Sequence, residues 1–223
     1  MTTRTMKDPL YEQVARIGKA LASPKRLELL ELLAQGEKTV EMLAAALAID
    51  LKLASAHLKA LAAARIVASR RDGKYRWYRL SGPDVAQLWV RLRDVAETHL
   101  AELRVALHAM AGASETLVAT AREALLAQAR SGAIVVIDVR PRDEYDTAHL
   151  PFARSLPLAE LEARLAELPA DKDIVVYCRG PFCVFADTAV RLLTARGYRA
   201  RKLRDGVNEW QAAGLPLARV AAA

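Results

Sequence analysis

Apolar positions fall into two regimes along the chain, helical spacing first and short β-branched runs between helical stretches later. Leu10, Val14, Ile17 and Ala20 line one face of a helix over residues 8–20. Ser23-Pro24 reads as N-cap and first position of a second helix, KRLELLELLAQG, closed by Gly36. Thr39 can cap a third, VEMLAAALA, and Asp50 a fourth, LKLASAHLKALAAA, across the brief turn Ile49–Asp50. Ile66–Ala68 and Tyr75–Leu80 read as strands around Asp72-Gly73, a type I′ hairpin signal. Residues 84–110 predict one long helix, with Leu88, Leu92, Val95, Leu100, Leu103 and Leu107 as its stripe. AGASE at 111–115 reads as a linker. A helix over 115–130 follows, then a strand over Ala133–Val139 and another over Ile174–Tyr177. Gly180-Pro181 turns the chain after that strand, and a helix runs from Val184 to its stop at Gly197. The terminal ARVAAA is expected to fray.

A chain of 223 residues holds one large or two ordinary domains, and 53% apolar content suffices for buried cores. No apolar run approaches the length of a membrane span, and MTTRTMKDPLYEQ lacks the core of a secretory signal. Two cysteines five apart are not a disulfide framework, so a reducing cytoplasm is expected. The net charge of +7 is uneven. Residues 1–112 carry 18 Lys+Arg against 12 Asp+Glu, a net +6, which points the first half at a polyanion.

Helices, a helix-turn-helix and a basic hairpin in that order describe a winged helix. In the fourth helix Lys52, Ser55, Ala56 and Lys59 are placed to reach base edges in a major groove. His57 lies beside them but could equally face the core. In the hairpin Arg70, Arg71, Lys74 and Arg76, with Arg79, can follow phosphates or enter a minor groove. The first half has no cysteine, and His99 and His108 are not an i, i+4 pair, so no metal site is expected.

Cys178 stands at a strand exit, and the loop Arg179, Gly180, Pro181, Phe182, Cys183, Val184 ends on a helix N-terminus. Such a loop gathers backbone N–H groups into a bowl, which predicts a lowered Cys178 pKa and a nucleophilic thiolate. Asp138 and Arg140 follow the earlier strand at its C-terminal end, where α/β sites gather.

Two family resemblances lie in these motifs. SPKRLELLELLAQGEKTVEMLAAAL, SAHLKAL and the hairpin resemble the ArsR family of bacterial repressors over about residues 8–105. IDVRPRDEYDTAHLP, VVYCRGPFC and LRDGVNEWQAAGLPL resemble a rhodanese domain over about residues 115–219. The first resemblance implies a DNA-binding homodimer. The second implies that Cys178 accepts sulfane sulfur as a persulfide, and that Asp138, Arg140, Glu144 and His149 brace the loops around it. Ala48, Arg65, Ala148 and Phe152 stand where these families often have glycine. Cys183 stands where thiosulfate-using members often have a cation.

The expected architecture is therefore two domains: a mainly α winged helix-turn-helix at 1–112, and an α/β rhodanese-like parallel sheet with flanking helices at 113–223. The expected partners are operator DNA, a second copy of the chain, and a sulfane-sulfur donor such as thiosulfate, a persulfide or polysulfide, with no cofactor. Two principal functions remain open at this level: a regulator governed by the sulfur state of Cys178, or a sulfurtransferase with an attached DNA-binding domain. A third is a plain Cys178–Cys183 redox switch.

Overall fold

The computed structural model describes residues 3–111, 116–117 and 122–220. The chain divides into two compact units, Met1–Trp89 and Val90–Ala223.

The first unit contains α1 (Thr3–Leu21), α2 (Pro24–Leu33), β1 (Lys38–Thr39), α3 (Val40–Ala46), α4 (Leu51–Ala63), β2 (Val67–Asp72) and β3 (Tyr75–Leu80). It also holds the start of α5 (Pro83–His99). Leu29, Leu30, Leu43, Leu58 and Leu61 form the centre of its core. Pro24 takes the first helical position, but the Ser23 hydroxyl makes no capping bond. Thr39 does cap, accepting the Met42 N–H, and Asp50 accepts that of Leu53 at 2.8 Å. Ala48 (φ 50°) and Arg65 (φ 59°) close α3 and α4 in the left-handed conformation that glycine adopts at least cost. Ile49 N–H bonds Ala44 carbonyl and Ile66 N–H that of Leu61, so both turns keep a glycine-type closure despite a Cβ. Strain of about 1–3 kcal/mol per residue is the usual cost of such closures. The strands pair antiparallel in the order β1-β3-β2.

The second unit contains the end of α5, α6 (Ala101–Ala111), β4 (Thr116–Leu117), α7 (Arg122–Ser131), β5 (Ile134–Asp138) and α8 (Arg142–Thr147). It continues with β6 (Arg154–Ser155), α9 (Leu158–Leu161), a 3-10 turn (Glu162–Glu167), β7 (Asp173–Tyr177), α10 (Phe185–Ala195), β8 (Ala200–Leu203) and α11 (Val207–Ala212). All sheet pairings are parallel, in the order β4-β8-β7-β5-β6. Alternation assigns the two faces. Val135, Ile137, Ile174 and Val176 pack in one cluster with α10, and Ile134, Val136, Val175 and Tyr177 in another with Leu125 and Trp210. Apolar clusters on both faces account for the unbroken apolar runs of β5 and β7. Asp138 and Cys178 both lie at the C-terminal edge of the sheet.

Three expectations need correction. The long helix predicted at 84–110 is interrupted at Leu100 and becomes α5 and α6. There the Arg104 side chain donates to the Glu97 and Thr98 carbonyls, which end α5 without any proline or glycine. The helix predicted over 115–130 is a two-residue strand, β4, and a later helix, α7; β4 gains ladder bonds from β8 that sequence periodicity does not register. Residues 112–115 of the predicted linker lie outside the described residues. The ARVAAA tail is held at its start. Ala218 exchanges two 2.9 Å backbone bonds with His149, and Val220 N–H reaches the Asp146 carbonyl. Residues 221–223 lie outside the described ones. No helix among the described residues is long and apolar enough to cross a membrane.

Candidate functional site

Residues 178–184 leave β7 and enter α10, as their sequence predicts. Gly180 takes φ 138°, and Cys183 N–H bonds the Gly180 carbonyl at 3.1 Å, closing the loop on itself. Both cysteines are free thiols turned inward, Cys178 only 1% exposed and Cys183 7%. Cys178 Sγ lies 3.3 Å from the Cys183 carbonyl oxygen. The backbone N–H groups divide between the two sulfurs. Those of Gly180 and Ala186 face Cys178, and those of Arg179 and Phe185 face Cys183. Phe185 and Ala186 open α10, so the helix N-terminus does contribute to the bowl.

The pair titrates differently from the sequence expectation. Burial pushes the Cys178 thiol well up, and its S–H bond to Cys183 adds to that. Cys183 receives that hydrogen bond and the two N–H groups, which outweigh its own burial and lower it to about 6. The lower of the two thiol pKa values therefore belongs to Cys183. The loop does lower a thiol pKa, but desolvation decides which one. Thiolate absorbance followed against pH is expected to show one cysteine ionising with a midpoint near 6, against about 8.5 for an ordinary thiol. Below that midpoint Cys183 is protonated and the signal is lost. In Cys178→Ala the donated S–H is gone, so the midpoint should rise; an unmoved midpoint would rule out proton sharing.

The supporting residues brace the site at two places, and the Glu144 charge also acts on Arg140. Asp138 and Arg140 are wholly buried and paired, with Arg140 Nη2 at 2.6 Å and Nε at 2.9 Å from the carboxylate. Arg140 also donates to the Ala148 carbonyl at 2.8 Å and lies over the Tyr177 ring. Burial opposes its charge, but Asp138 outweighs that and raises its pKa. Glu144 reaches the cysteine loop directly, accepting from Arg179 Nε at 2.9 Å and Nη2 at 2.8 Å. This holds the Arg179 guanidinium, which also lies over Phe185. Among the described residues His149 bonds to neither pair. Its contacts are a stack on Tyr145, a bond between Nδ1 and the Tyr145 carbonyl, and the Ala218 bridge. Of the glycine-position departures, Phe152 takes φ 65° and bears the left-handed turn, while Ala148 is extended and unstrained.

Sequence reasoning passed over three residues at this site. Gly206 packs so closely that an added Cβ would lie 2.5 Å from the Arg179 carbonyl and 2.6 Å from that of Cys178. Glu209 accepts the Gly206 N–H at 2.6 Å and stands where a Cβ on Gly180 would meet it at 3.0 Å. Arg93 of α5, 3% exposed, pairs with Glu209 at 2.7 Å. The DGVNEW motif contains the first two. Nothing local marks Arg93, which reads as one more charge on a helix.

In the first unit Lys52, Ala56 and Lys59 are exposed on α4, while Ser55 and His57 are half-buried. Along the hairpin, register separates two sets of cations. Arg70 and Arg79 are tied to Glu37, with Arg70 also paired to Asp72 and lying over Trp77. Arg71 and Arg76 stand directly opposite each other across β2 and β3, both exposed. Like charges in that position repel unless an anion joins them. Lys74 at the turn lies over the Tyr75 ring.

Comparison with known proteins agrees with both halves. Residues 23–69 match the model described as bacterial regulatory protein, arsR family, and residues 121–213 that of the rhodanese-like domain. An HTH-type transcriptional regulator of Mycobacterium tuberculosis is 46% identical over 211 residues, covering 95% of this chain and 92% of the relative. A sulfurtransferase of Allochromatium vinosum is 33% identical over 85 residues, 38% of this chain and 78% of its own. Among solved structures, a homodimeric winged helix-turn-helix DNA-binding domain from Mycobacterium bovis, described as a possible ArsR-family regulator, is 46% identical. It covers 46% of this chain and 93% of its own, with a TM-score of 0.42.

Proposed function

The chain belongs to the ArsR family of HTH-type transcriptional regulators and carries a rhodanese-like domain; from this we propose that it is a cytoplasmic, homodimeric repressor whose grip on operator DNA follows the sulfur state of Cys178. Residues 1–112 would read DNA and dimerise, and residues 113–223 would accept sulfur. The observation that carries the reading is the thiol pair: two free cysteines in one buried loop, faced by four backbone N–H groups.

The chemistry follows from that pair. Cys183 thiolate takes the proton of Cys178 as a sulfane-sulfur donor enters. The Cys178 thiolate attacks the outer sulfur of a persulfide or polysulfide, the donor's S–S bond breaks, and its other fragment leaves as a thiolate. From thiosulfate the leaving group would be sulfite. Cys183, its proton released to solvent, can then attack Cys178 Sγ and expel hydrosulfide, closing a disulfide; where polysulfide has left two sulfurs on Cys178, Cys183 can instead attack the inner one and expel the outer as hydrosulfide, which leaves a trisulfide bridge. Either product changes a loop held by Glu144 and Glu209. Burial of both sulfurs favours a state that is kept over rapid turnover.

The test measures intact mass and the Kd for a duplex selected by the wild-type protein from a random library, before and after inorganic polysulfide. Sulfur gain with a changed Kd supports the reading. Multiple turnover at constant Kd would favour the sulfurtransferase. Loss of two hydrogens without sulfur gain would favour a plain redox switch.

On the DNA side, Arg71→Glu/Arg76→Glu is expected to weaken binding to all duplexes by similar factors. For each phosphate no longer neutralised, the salt slope should fall by about 1. Arg70 is a poorer target, since it also anchors the hairpin to Glu37. Lys52 or Ser55 changes should instead alter sequence preference. An unchanged Kd and slope for the double reversal would remove the hairpin from the interface.

A further inference from the structure

A buried arginine of α5 bears on the loop that holds Cys178. Arg93 Nη2 lies 2.7 Å from Glu209 Oε1, and its guanidinium lies over the Phe182 ring at 5.7 Å. Phe182 is itself a member of the cysteine loop. The other Glu209 oxygen accepts the Gly206 N–H at 2.6 Å. The same carboxylate fills the space beside Gly180. Gly206 in turn rests on the carbonyls of Cys178 and Arg179, so closely that a Cβ there would collide with them. Arg93 thus bears on the loop twice, at Phe182 directly and at Gly180 and Cys178 through Glu209 and Gly206.

This arrangement is a poor way to gain stability. A buried ion pair roughly breaks even against apolar residues of the same volume. Here the Arg93 Nε has no hydrogen-bond partner among the described residues, and the contact at Glu209 Oε1 is an ion pair without hydrogen-bond alignment. α5 begins in the first compact unit and ends in the second. We propose that Arg93 is a positioning residue that clamps the Cys178–Cys183 loop to α5, and that a change of sulfur state leaves the loop through it. The proposal rests on the sulfur-dependent reading above and names its exit from the site. A disulfide or an added sulfur must reshape a loop whose interior is already filled. Phe182 and Gly180 are the points at which that change meets Arg93.

The test uses the full chain with Arg93→Met/Glu209→Gln, which removes both charges together and leaves no unpaired charge buried. Glutamine can still accept the Gly206 N–H, which favours folding. After inorganic polysulfide the double variant should gain the same sulfur mass as wild type. Its Kd for the selected duplex should then change by less than about twofold, where coupling of ordinary size gives about 5–150-fold. The cysteine titration should also shift, because Phe182 loses the cation over its ring and Gly180 the charged carboxylate beside it. Arg93→Lys, which keeps one cationic contact to Glu209, should restore part of the switching. A double variant that loads and switches as wild type overturns the proposal, and so does an unchanged titration. If wild type loads sulfur with no change in Kd, the regulatory reading itself fails, and the clamp is then decided by the titration alone.

Discussion

Cys178→Ser is expected to gain no sulfur from polysulfide, persulfide or thiosulfate, and to bind DNA with one fixed affinity. Wild type, with a coupling of about 1–3 kcal/mol between sites, should change its DNA affinity about 5–150-fold on loading. The expectation rests on position. Cys178 follows directly on β7, is the more deeply buried sulfur, and has the Gly180 and Ala186 N–H groups to hold the added charge. Its raised pKa opposes ionisation; the neighbouring sulfur takes the proton, and the two N–H groups offset part of the cost by holding the charge that forms. The serine hydroxyl keeps the size and donates a hydrogen bond to Cys183, so the fold should survive. Cys183→Ser should still load, more slowly for want of that acceptor, and should not hold the switched state. Mass spectrometry and DNA binding on the same samples decide it. If Cys178→Ser loads and switches while Cys183→Ser does neither, the acceptor is Cys183 and the assignment is reversed.

Arg140→Met is expected to destabilise the second unit by about 3–5 kcal/mol, the usual cost of leaving one member of a buried ion pair alone. That is a large fraction of the about 5–15 kcal/mol available to a domain. Arg140 satisfies both Asp138 oxygens and the Ala148 carbonyl inside a fully buried site. Removing it strands a carboxylate beside the Tyr177 ring, at the end of the strand next to the cysteine strand. Adding Asp138→Asn should recover much of the loss, because the uncompensated charge disappears. Denaturant midpoints for the two variants measure this. A single variant within about 1 kcal/mol of wild type would mean that the pair does not brace the site.

How much of this was legible in the chain depends on the range of the interactions involved. Helix caps at Thr39 and Asp50 and the strand-loop-helix around Cys178 are written in neighbouring residues, and local sequence determined them. Asp72-Gly73 located the hairpin but not its turn: Asp72 pairs with Tyr75, so Gly73-Lys74 makes the turn, and Gly73 alone takes a positive φ, which excludes type I′. Alternation in β5 and β7 marked strands buried on both faces. The motifs carrying Cys178, Asp138, Arg140 and Glu144 likewise determined which residues would gather at the sheet's C-terminal edge. Tertiary structure decided what depends on distant partners. β4 exists because β8 supplies its ladder bonds, and α5 ends at His99 because Arg104 folds back on its carbonyls. The hairpin register sets Arg71 against Arg76 and leaves Arg70 to Glu37. Above all, the sequence announced an activated thiol but not which one, since a pKa follows burial and hydrogen bonding. Both belong to the packed loop: Cys178 loses more water than Cys183, and Cys183 accepts a hydrogen bond from it.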